Sequence, residues 1–177
     1  EHFLSEIAPE YGLSLKINPE KQHDPYAYDF IGKDNIPVDL KYIETPFFRA
    51  GVYGFDPDRT ITFNKKDLER YVNKYPKLWV LFFVLWGNDR NYGIKVKARR
   101  GIWTAPIGDI DILIKTGRTA YHEYKRRVND IEGNARGSYL IDLDDLRNYP
   151  LKPLSTTLST TPQLPHQLPL IGQITYG

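Results

Sequence analysis

The sequence contains no cysteine and no methionine among its 177 residues. Without cysteine there can be no disulfide, no zinc–thiolate centre and no thiol nucleophile. Methionine is missing even from position 1, which predicts that the sequence lacks its natural start or carries replacements. No hydrophobic run reaches the roughly 18 residues of a membrane-spanning helix, and no signal-peptide pattern is present. We therefore predict a cytoplasmic protein with no membrane partner.

Excess charge of one sign is also missing, because 24 basic residues are nearly balanced by 22 acidic ones, for a formal net charge of +2. A nucleic-acid-binding surface would have to come from local segregation of basic side chains. Aromatic residues are plentiful, with 13 Tyr, 8 Phe and 3 Trp. The length predicts one domain with a sizeable core, which we place at residues 1–149.

The composition changes after that domain. Residues 150–177 are rich in proline, repeat Ser-Thr-Thr and carry no Lys, Arg, Asp or Glu after Lys152. Such a composition predicts an extended tail. It either stays disordered or contacts a neighbouring subunit through its leucines.

An unbroken apolar run, Trp79 to Trp86, indicates the fold class. It is too short to span a membrane and rich in aromatic and β-branched residues, so it predicts a central strand buried on both faces. Helices must then cover the sheet, and we predict an α/β fold with a central mixed β-sheet flanked by helices. Helices are predicted over residues 1–12, 64–75, 107–115 (or a strand there) and 119–128, and strands over 13–17, 28–31, 36–43, 60–63, 79–86, 94–100 and 138–143.

Residues 28–43 carry the most informative pattern. A polar turn, Gly32 to Asn35, separates two short runs that each predict a strand. In the second run, alternation places Asp39 and Lys41 on one face and apolar side chains on the other. If the strands pair, Asp29 lies near Asp39 and supplies two oxygen ligands for one hard divalent cation. The alternative is a solvated hairpin whose Asp39 and Lys41 face water.

Asp29, followed after nine residues by Asp39-Leu40-Lys41, resembles the PD-(D/E)XK signature of restriction-type endonucleases. The predicted order of elements over residues 1–86 is also similar to the core of that family. Position 39 holds Asp where the family more often has Glu, and no proline precedes Asp29. Asp24, which is followed by Pro25, therefore remains open as the first acid.

The resemblance implies a restriction-endonuclease-like core and a metal-dependent DNA endonuclease that leaves 5′-phosphate and 3′-hydroxyl ends. Asp29, Asp39 and the Leu40 carbonyl would hold Mg²⁺, for which Mn²⁺ substitutes. Lys41 would orient the attacking water or stabilise the charge that develops on the phosphate.

Restriction-type nucleases often add a metal-facing glutamate from an opening helix. The resemblance therefore implies Glu6 as a further catalytic and metal-binding residue, with Glu1 and Glu10 as alternatives.

The expected partner is double-stranded DNA. Since one site per chain cuts one strand, double-strand cleavage requires repeated binding or at least a dimer, and we expect a homodimer or a higher homo-oligomer. The resemblance suits a restriction or small homing endonuclease, with a structure-selective repair or junction nuclease as the next choice. From other classes, a non-catalytic nucleic-acid-binding protein and a protein-interaction domain remain open.

Basic residues recur in three places. Lys95, Lys97 and Arg99 alternate along the predicted strand 94–100, which suits either a polyanion or a solvated edge. Lys65 and Lys66 start a predicted helix, where phosphate binds favourably, and an arginine at a loop tip can reach a DNA groove. The candidate DNA contacts are Lys65, Lys66, Lys95, Lys97, Arg99, Arg100 and Arg136.

Overall fold

The computed structural model of the protein describes residues 2–123 and 137–149. The helical segments in these ranges are a π-helical turn, Phe3–Ile7, continued by α1, Ala8–Glu10, then α2, Lys65–Lys74, and α3, Ile107–Lys115. Short 3-10 turns occupy Pro19–Gln22, Lys33–Asn35, Phe48–Tyr53 and Leu143–Asp145. The strands are β1 (Lys16–Ile17), β2 (Phe30–Ile31), β3 (Pro37–Ile43), β4 (Thr60–Asn64), β5 (Trp79–Trp86), β6 (Arg90–Asn91), β7 (Ile94–Lys95), β8 (Arg99–Pro106), β9 (Ala120–His122), β10 (Ser138–Asp142) and β11 (Arg147–Tyr149). None of the helices in these ranges is both long and apolar enough to cross a membrane.

A mixed sheet is the centre of the described structure and confirms the α/β prediction. Its six strands run in the order β1-β2-β3-β5-β8-β11. Strands β3 and β5 are parallel, and the other neighbours are antiparallel. A three-stranded sheet, β4-β10-β9, and the β6-β7 hairpin complete the strand pairings among these residues.

The apolar run forms the central strand β5, as predicted. Its alternate side chains enter two separate cores, because successive residues of a strand point to opposite faces. Val80 and Phe82 pack with α2, α3 and strands β4 and β10. Leu81 and Phe83 pack with the opening helix, which comprises Phe3–Ile7 and α1. Hence the sheet is covered on both faces, as a strand of this composition requires.

The hairpin of β2 and β3 places its side chains as the alternation predicts. Asp34 and Asn35 in the turn have φ of 55° and 59°, a left-handed conformation that Asp and Asn tolerate better than most residues. Asp39 and Lys41 share the face that α2 covers, since Lys41 is in register with Phe82. Val38 and Leu40 of β3 pack in the core of the opening helix.

Helix α2 begins where the capping pattern predicts. The side-chain oxygen of Asn64 accepts a hydrogen bond of 2.9 Å from the Lys66 backbone N–H, which satisfies one of the unpaired donors of the first turn. Leu68 and Tyr71 are buried against the sheet. The packing of this apolar face brings the polar side chains of the same helix over strand β3.

Two predicted segments have a different structure. Residues 120–122 form β9 instead of the start of a helix, because they pair with β10, as in Leu140 with Ala120; such pairing overrides a local helical pattern. The predicted strand 94–100 is interrupted, because the backbone N–H groups of Lys97 and Ala98 donate to side chains and not to a neighbouring strand. The Trp86 indole donates to the Lys97 carbonyl at 3.0 Å.

Other differences concern extent and location. The predicted strand 13–17 is reduced to β1, and the predicted strand 138–143 belongs to the smaller sheet as β10. Strand β11 has no counterpart in the sequence prediction. For residues 107–115 the helix is confirmed. The tail, residues 150–177, lies outside the described residues, as do residues 124–128 of the predicted helix 119–128.

We expect Phe82→Ala to lower the free energy of unfolding by about 3–5 kcal/mol, because Phe82 is fully buried at the centre of β5 and truncation leaves a cavity. Leu85→Ala is the matched control on the same strand. Leu85 is 39% exposed, so its loss should cost about 1 kcal/mol or less. Urea denaturation measures both, and equal losses would contradict the two-sided burial of β5.

Candidate active site

The hairpin brings Asp29 and Asp39 together. Asp29 precedes β2, and its Oδ2 accepts a hydrogen bond of 2.9 Å from the backbone N–H of Leu40 on β3. Its Oδ1 lies 2.9 Å from the Lys21 ammonium. The Asp29 carboxylate is therefore fixed against the residue that follows Asp39.

Asp39 is a buried carboxylate, with a residue exposure of 1%. Burial raises the pKa of Asp39, the Lys41 ammonium opposes that shift, and the negative charge of Asp29 adds to it. Among the described residues, Oδ2 has no hydrogen-bond partner of normal geometry, although it lies 2.8 Å from the Lys41 Nζ as an ion pair. A hairpin that only faces water, the alternative left open by the sequence, is thus excluded.

The Lys41 ammonium lies among three oxygen atoms. Nζ is 2.8 Å from Asp39 Oδ2 and 2.7 Å from Asp67 Oδ2, and it donates to the Tyr71 hydroxyl at 3.3 Å. Burial by itself lowers the pKa of Lys41, but the charge of Asp39, followed by Tyr71 and Asp67, raises that pKa above its usual value. Lys41 therefore stays protonated at neutral pH and acts as a fixed positive charge.

Three residues of α2, Asp67, Arg70 and Tyr71, complete this cluster. Their role was not predicted from the sequence. Arg70 Nη2 lies 2.6 Å from Asp67 Oδ1 and donates to the Tyr71 hydroxyl at 3.0 Å. Burial, and then the charge of Asp39, raises the pKa of the Tyr71 hydroxyl, so it stays protonated. The available signal was spacing, because residues three and four apart share one face of a helix. The sequence could not show that this face meets Lys41.

A cavity of about 400 Å³ opens at this cluster. Four cationic and three carboxylate side chains belong to its lining, so positive charge slightly exceeds negative charge. The lining residues are Lys21, Pro25, Tyr26, Asp29, Asp39, Leu40, Lys41, Asn64, Lys66, Asp67, Arg70 and Tyr71. A larger cavity of about 480 Å³ is lined by Arg49, Val52 and Tyr92 among others, and none of its described lining residues carries a carboxylate.

The structure favours Asp29 over Asp24 as the first acid. The Asp24 side chain accepts from the backbone N–H of Tyr26 at 2.8 Å and pairs with Lys74 at 3.2 Å. The Tyr26 N–H and then Lys74 lower the pKa of Asp24. Asp24 is not among the residues that line the cavity.

Glu6 is not brought to this cluster. The opening helix packs on Phe30, Val38 and Phe83, on the face of the sheet opposite to Asp39 and Lys41. The Glu6 side chain is 66% exposed and pairs with His2 at 3.0 Å.

The two alternatives to Glu6 do not replace it. Glu10 pairs with Arg100 at 2.6 Å, at the end of the opening helix. Glu1 lies outside the described residues.

The oxygen donors at the cluster fit a small hard cation. Asp29 and Asp39 provide carboxylates, and the Leu40 N–H that bonds Asp29 projects from the same edge of β3 as the Leu40 carbonyl. In the described ranges, no group of three or more His, Cys, Asp or Glu side chains is placed to hold a metal. Mg²⁺ suits such a sparse set, because it commonly uses one or two carboxylates and keeps several waters.

Of the six candidate DNA contacts in the described ranges, only Lys66 is placed beside the acids, where it lines the cavity. Lys65, one residue earlier, pairs with Glu69 at 3.6 Å. Arg136 lies outside the described residues.

The remaining basic residues lie further along the sheet. Arg99 is in register with Trp86, whereas Lys41 is in register with Phe82. Arg99 lies 5.8 Å from the ring of Trp103 on the face that carries the acids. Arg100 reaches Glu10 on the other face, Lys97 pairs loosely with Asp58 at 3.8 Å, and Lys95 is exposed at the end of β7.

No model of a known protein family matches the chain, and no curated protein matches it. Among solved structures, the chain is similar to a nuclease from a fusselovirus. The identity is 12%, 82% of this chain and 77% of that chain are covered, and the TM-score is 0.43.

We expect Lys41→Met to lower the free energy of unfolding by about 3–5 kcal/mol, because it leaves the buried Asp39 carboxylate without its partner charge. Adding Asp39→Asn removes that charge, so the double variant should be more stable than Lys41→Met alone. Lys115→Met is the control, since the Lys115–Asp111 pair is on the surface and its loss should cost about 0.5 kcal/mol or less. Urea denaturation measures all three, and a double variant less stable than Lys41→Met would contradict the pairing.

Proposed function

We propose that the protein is a metal-dependent DNA endonuclease that hydrolyses phosphodiester bonds. The observation that carries the proposal is the pairing of a buried Asp39 with a charged Lys41, beside Asp29, at the wall of an open cavity. A buried ion pair adds little net stability compared with apolar packing. Its position in a cavity is typical of a site in which charge is held ready for a reaction.

The residues that would hold Mg²⁺, or Mn²⁺ in its place, are Asp29, Asp39 and the Leu40 carbonyl. The fit rests on their oxygen chemistry and on the buried Asp39 Oδ2, which lacks a normal hydrogen bond to another described residue. When bound, Mg²⁺ acts as a Lewis acid toward the phosphate and lowers the pKa of its water. Glu6 has no part in this proposal, because its helix covers the other face of the sheet.

Lys41 supplies positive charge to the phosphate. Because its pKa is raised, it donates hydrogen bonds and does not act as a base at neutral pH. Charge that develops on the phosphate oxygens is stabilised best by a donor that is already in place. Asp67 and Tyr71 provide that placement through their contacts with the Lys41 ammonium, and Arg70 in turn holds both of them. These three are positioning residues.

The resemblance stated above supports the finer features of the proposal. A site-specific enzyme of the restriction or homing type would leave 5′-phosphate and 3′-hydroxyl ends. With one site per chain, cleavage of both strands of a duplex would require a homodimer or higher homo-oligomer. A structure-selective repair or junction nuclease is the other subtype that this site would serve. The cytoplasm is the setting that we propose.

A second candidate is a non-catalytic nucleic-acid-binding protein. It is favoured by one observation, that Lys21 and Lys41 already neutralise the two acids at 2.9 Å and 2.8 Å. A cavity of this kind could bind phosphate without any metal. The two candidates differ in the fate of the substrate and not in its affinity.

We expect Asp29→Asn and Asp39→Asn each to reduce Mg²⁺-dependent cleavage of plasmid and genomic DNA at least about 100-fold, because each removes an anionic ligand. Affinity for DNA in EDTA should be retained, since the basic side chains of the cavity are unchanged. Gel electrophoresis measures cleavage with Mg²⁺, Mn²⁺ and EDTA, and fluorescence anisotropy measures affinity.

Asp111→Asn is the matched control, because this aspartate pairs with Lys115 on α3, away from the cavity. It should cleave as the unchanged protein does. If the unchanged protein binds DNA but does not cleave it with either Mg²⁺ or Mn²⁺, the second candidate is correct. Cleavage that survives both active-site substitutions would refute the assignment of the site.

Glu6→Gln should leave the rate of cleavage within about twofold of the unchanged protein. The reason is geometric: Glu6 is exposed, pairs with His2 and lies on the face opposite to Asp39. The same cleavage assay tests it. A loss as large as that of Asp29→Asn would place the opening helix at the site and refute the separation of the two faces.

A further inference from the structure

An exposed tyrosine lies at the rim of the cavity that contains Asp39 and Lys41. Tyr26 lines that cavity and is 62% exposed. It is not part of either apolar core among the described residues. Two other exposed tyrosines differ: the Tyr42 ring stacks on Phe83 in a core, and Tyr92 lies at the larger cavity, where no described lining residue is a carboxylate. Tyr26 thus combines exposure with a place beside the proposed reacting groups.

A compact turn holds Tyr26 in place. The Ala27 N–H donates to the Asp24 carbonyl at 3.0 Å, which closes a turn with Pro25 at its second position; proline favours that position because its φ is already fixed. The Asp24 side chain accepts from the Tyr26 N–H, and Lys74 ties Asp24 to α2. The backbone of Tyr26 is therefore ordered by contacts that do not depend on burial of its ring.

One side of the Tyr26 ring is occupied by a cation. The Arg70 guanidinium lies 5.4 Å from the ring centre, and the same guanidinium contacts Asp67 and Tyr71. Because the residue as a whole is more than half exposed, the rest of the ring surface is open to a ligand. Lys21 and Lys66 line the cavity beside it, so phosphate groups next to such a ligand would meet positive charge.

We propose that Tyr26 is a stacking platform for an unpaired nucleobase whose phosphate lies in the cavity beside Asp39 and Lys41. Bases stack on exposed aromatic side chains when they are not enclosed in a duplex. A paired base inside a duplex has both faces covered by its neighbours, so it has to leave the stack to reach such a platform. The substrate class is therefore a strand with an unpaired base at the point of cleavage. This inference rests on the proposed function, since it concerns the same site.

The test measures affinity without cleavage. Fluorescence anisotropy in EDTA compares three labelled probes: a single-stranded oligonucleotide, a duplex with one bulged base and the fully paired duplex. Tyr26→Ala should weaken binding of the single strand by roughly 5- to 150-fold, the equivalent of one lost stacking contact. Tyr26→Phe keeps the ring and should retain affinity, and Tyr92→Ala, which removes an exposed tyrosine elsewhere, should leave all three affinities unchanged.

The probes also separate the two sources of an unpaired base. If Tyr26→Ala weakens binding of the single strand alone, the ligand of Tyr26 is single-stranded nucleic acid. If it also weakens binding of the bulged duplex, the ligand includes a base flipped out of a duplex. The paired duplex should change by less than about twofold in either case. An equal loss of affinity for all three probes, or no loss of affinity for any of them, would refute the proposal that Tyr26 is a stacking platform.

The outcome is distinguishable from failure of the proposed function. In one outcome, Tyr26→Ala weakens binding of only the probes with unpaired bases while the unchanged protein cleaves no DNA with Mg²⁺ or Mn²⁺. That result would support Tyr26 as a stacking platform and refute the nuclease assignment. If cleavage depends on Asp29 and Asp39 but Tyr26→Ala changes no affinity, the nuclease assignment is supported and the stacking platform is refuted.

Discussion

The ammonium of Lys41 lies between two carboxylates that come from different elements, Asp39 on strand β3 and Asp67 on helix α2. Charges taken out of water must be paired, or the burial costs several kcal/mol. The position of α2 is therefore restricted twice, by the packing of Leu68 and Tyr71 on the sheet and by this shared cation. Arg70 extends the same network to the cavity rim, where its guanidinium reaches the ring of Tyr26.

Stability alone is a poor explanation for so much charge at the edge of a core. Apolar residues of similar volume usually stabilise such a position at least as well as an ion pair does. The cluster instead opens into a cavity with three carboxylates and four cations in its lining. Both signs are useful in phosphodiester hydrolysis, since carboxylates hold a metal ion and cations stabilise a phosphate.

The two faces of the six-stranded sheet differ in their charged side chains. One face carries Asp39 and Lys41 under α2, and the other is an apolar layer between β3, β5, β8 and the opening helix. This division explains why Glu6 is remote from the acids. It also separates Arg99 from Arg100, because consecutive residues of a strand point to opposite faces.

Features that depend on local order along the chain can be predicted from the sequence. The apolar run of β5, the alternation around Asp39 and the cap of α2 by Asn64 are patterns over a few residues, and each was confirmed. Contacts between distant residues depend on the tertiary packing. Asp67 and Tyr71 join Lys41 because packing sets α2 over β3, and residues 120–122 become a strand because β10 lies beside them. No local pattern encodes such contacts, since they depend on how the layers are stacked.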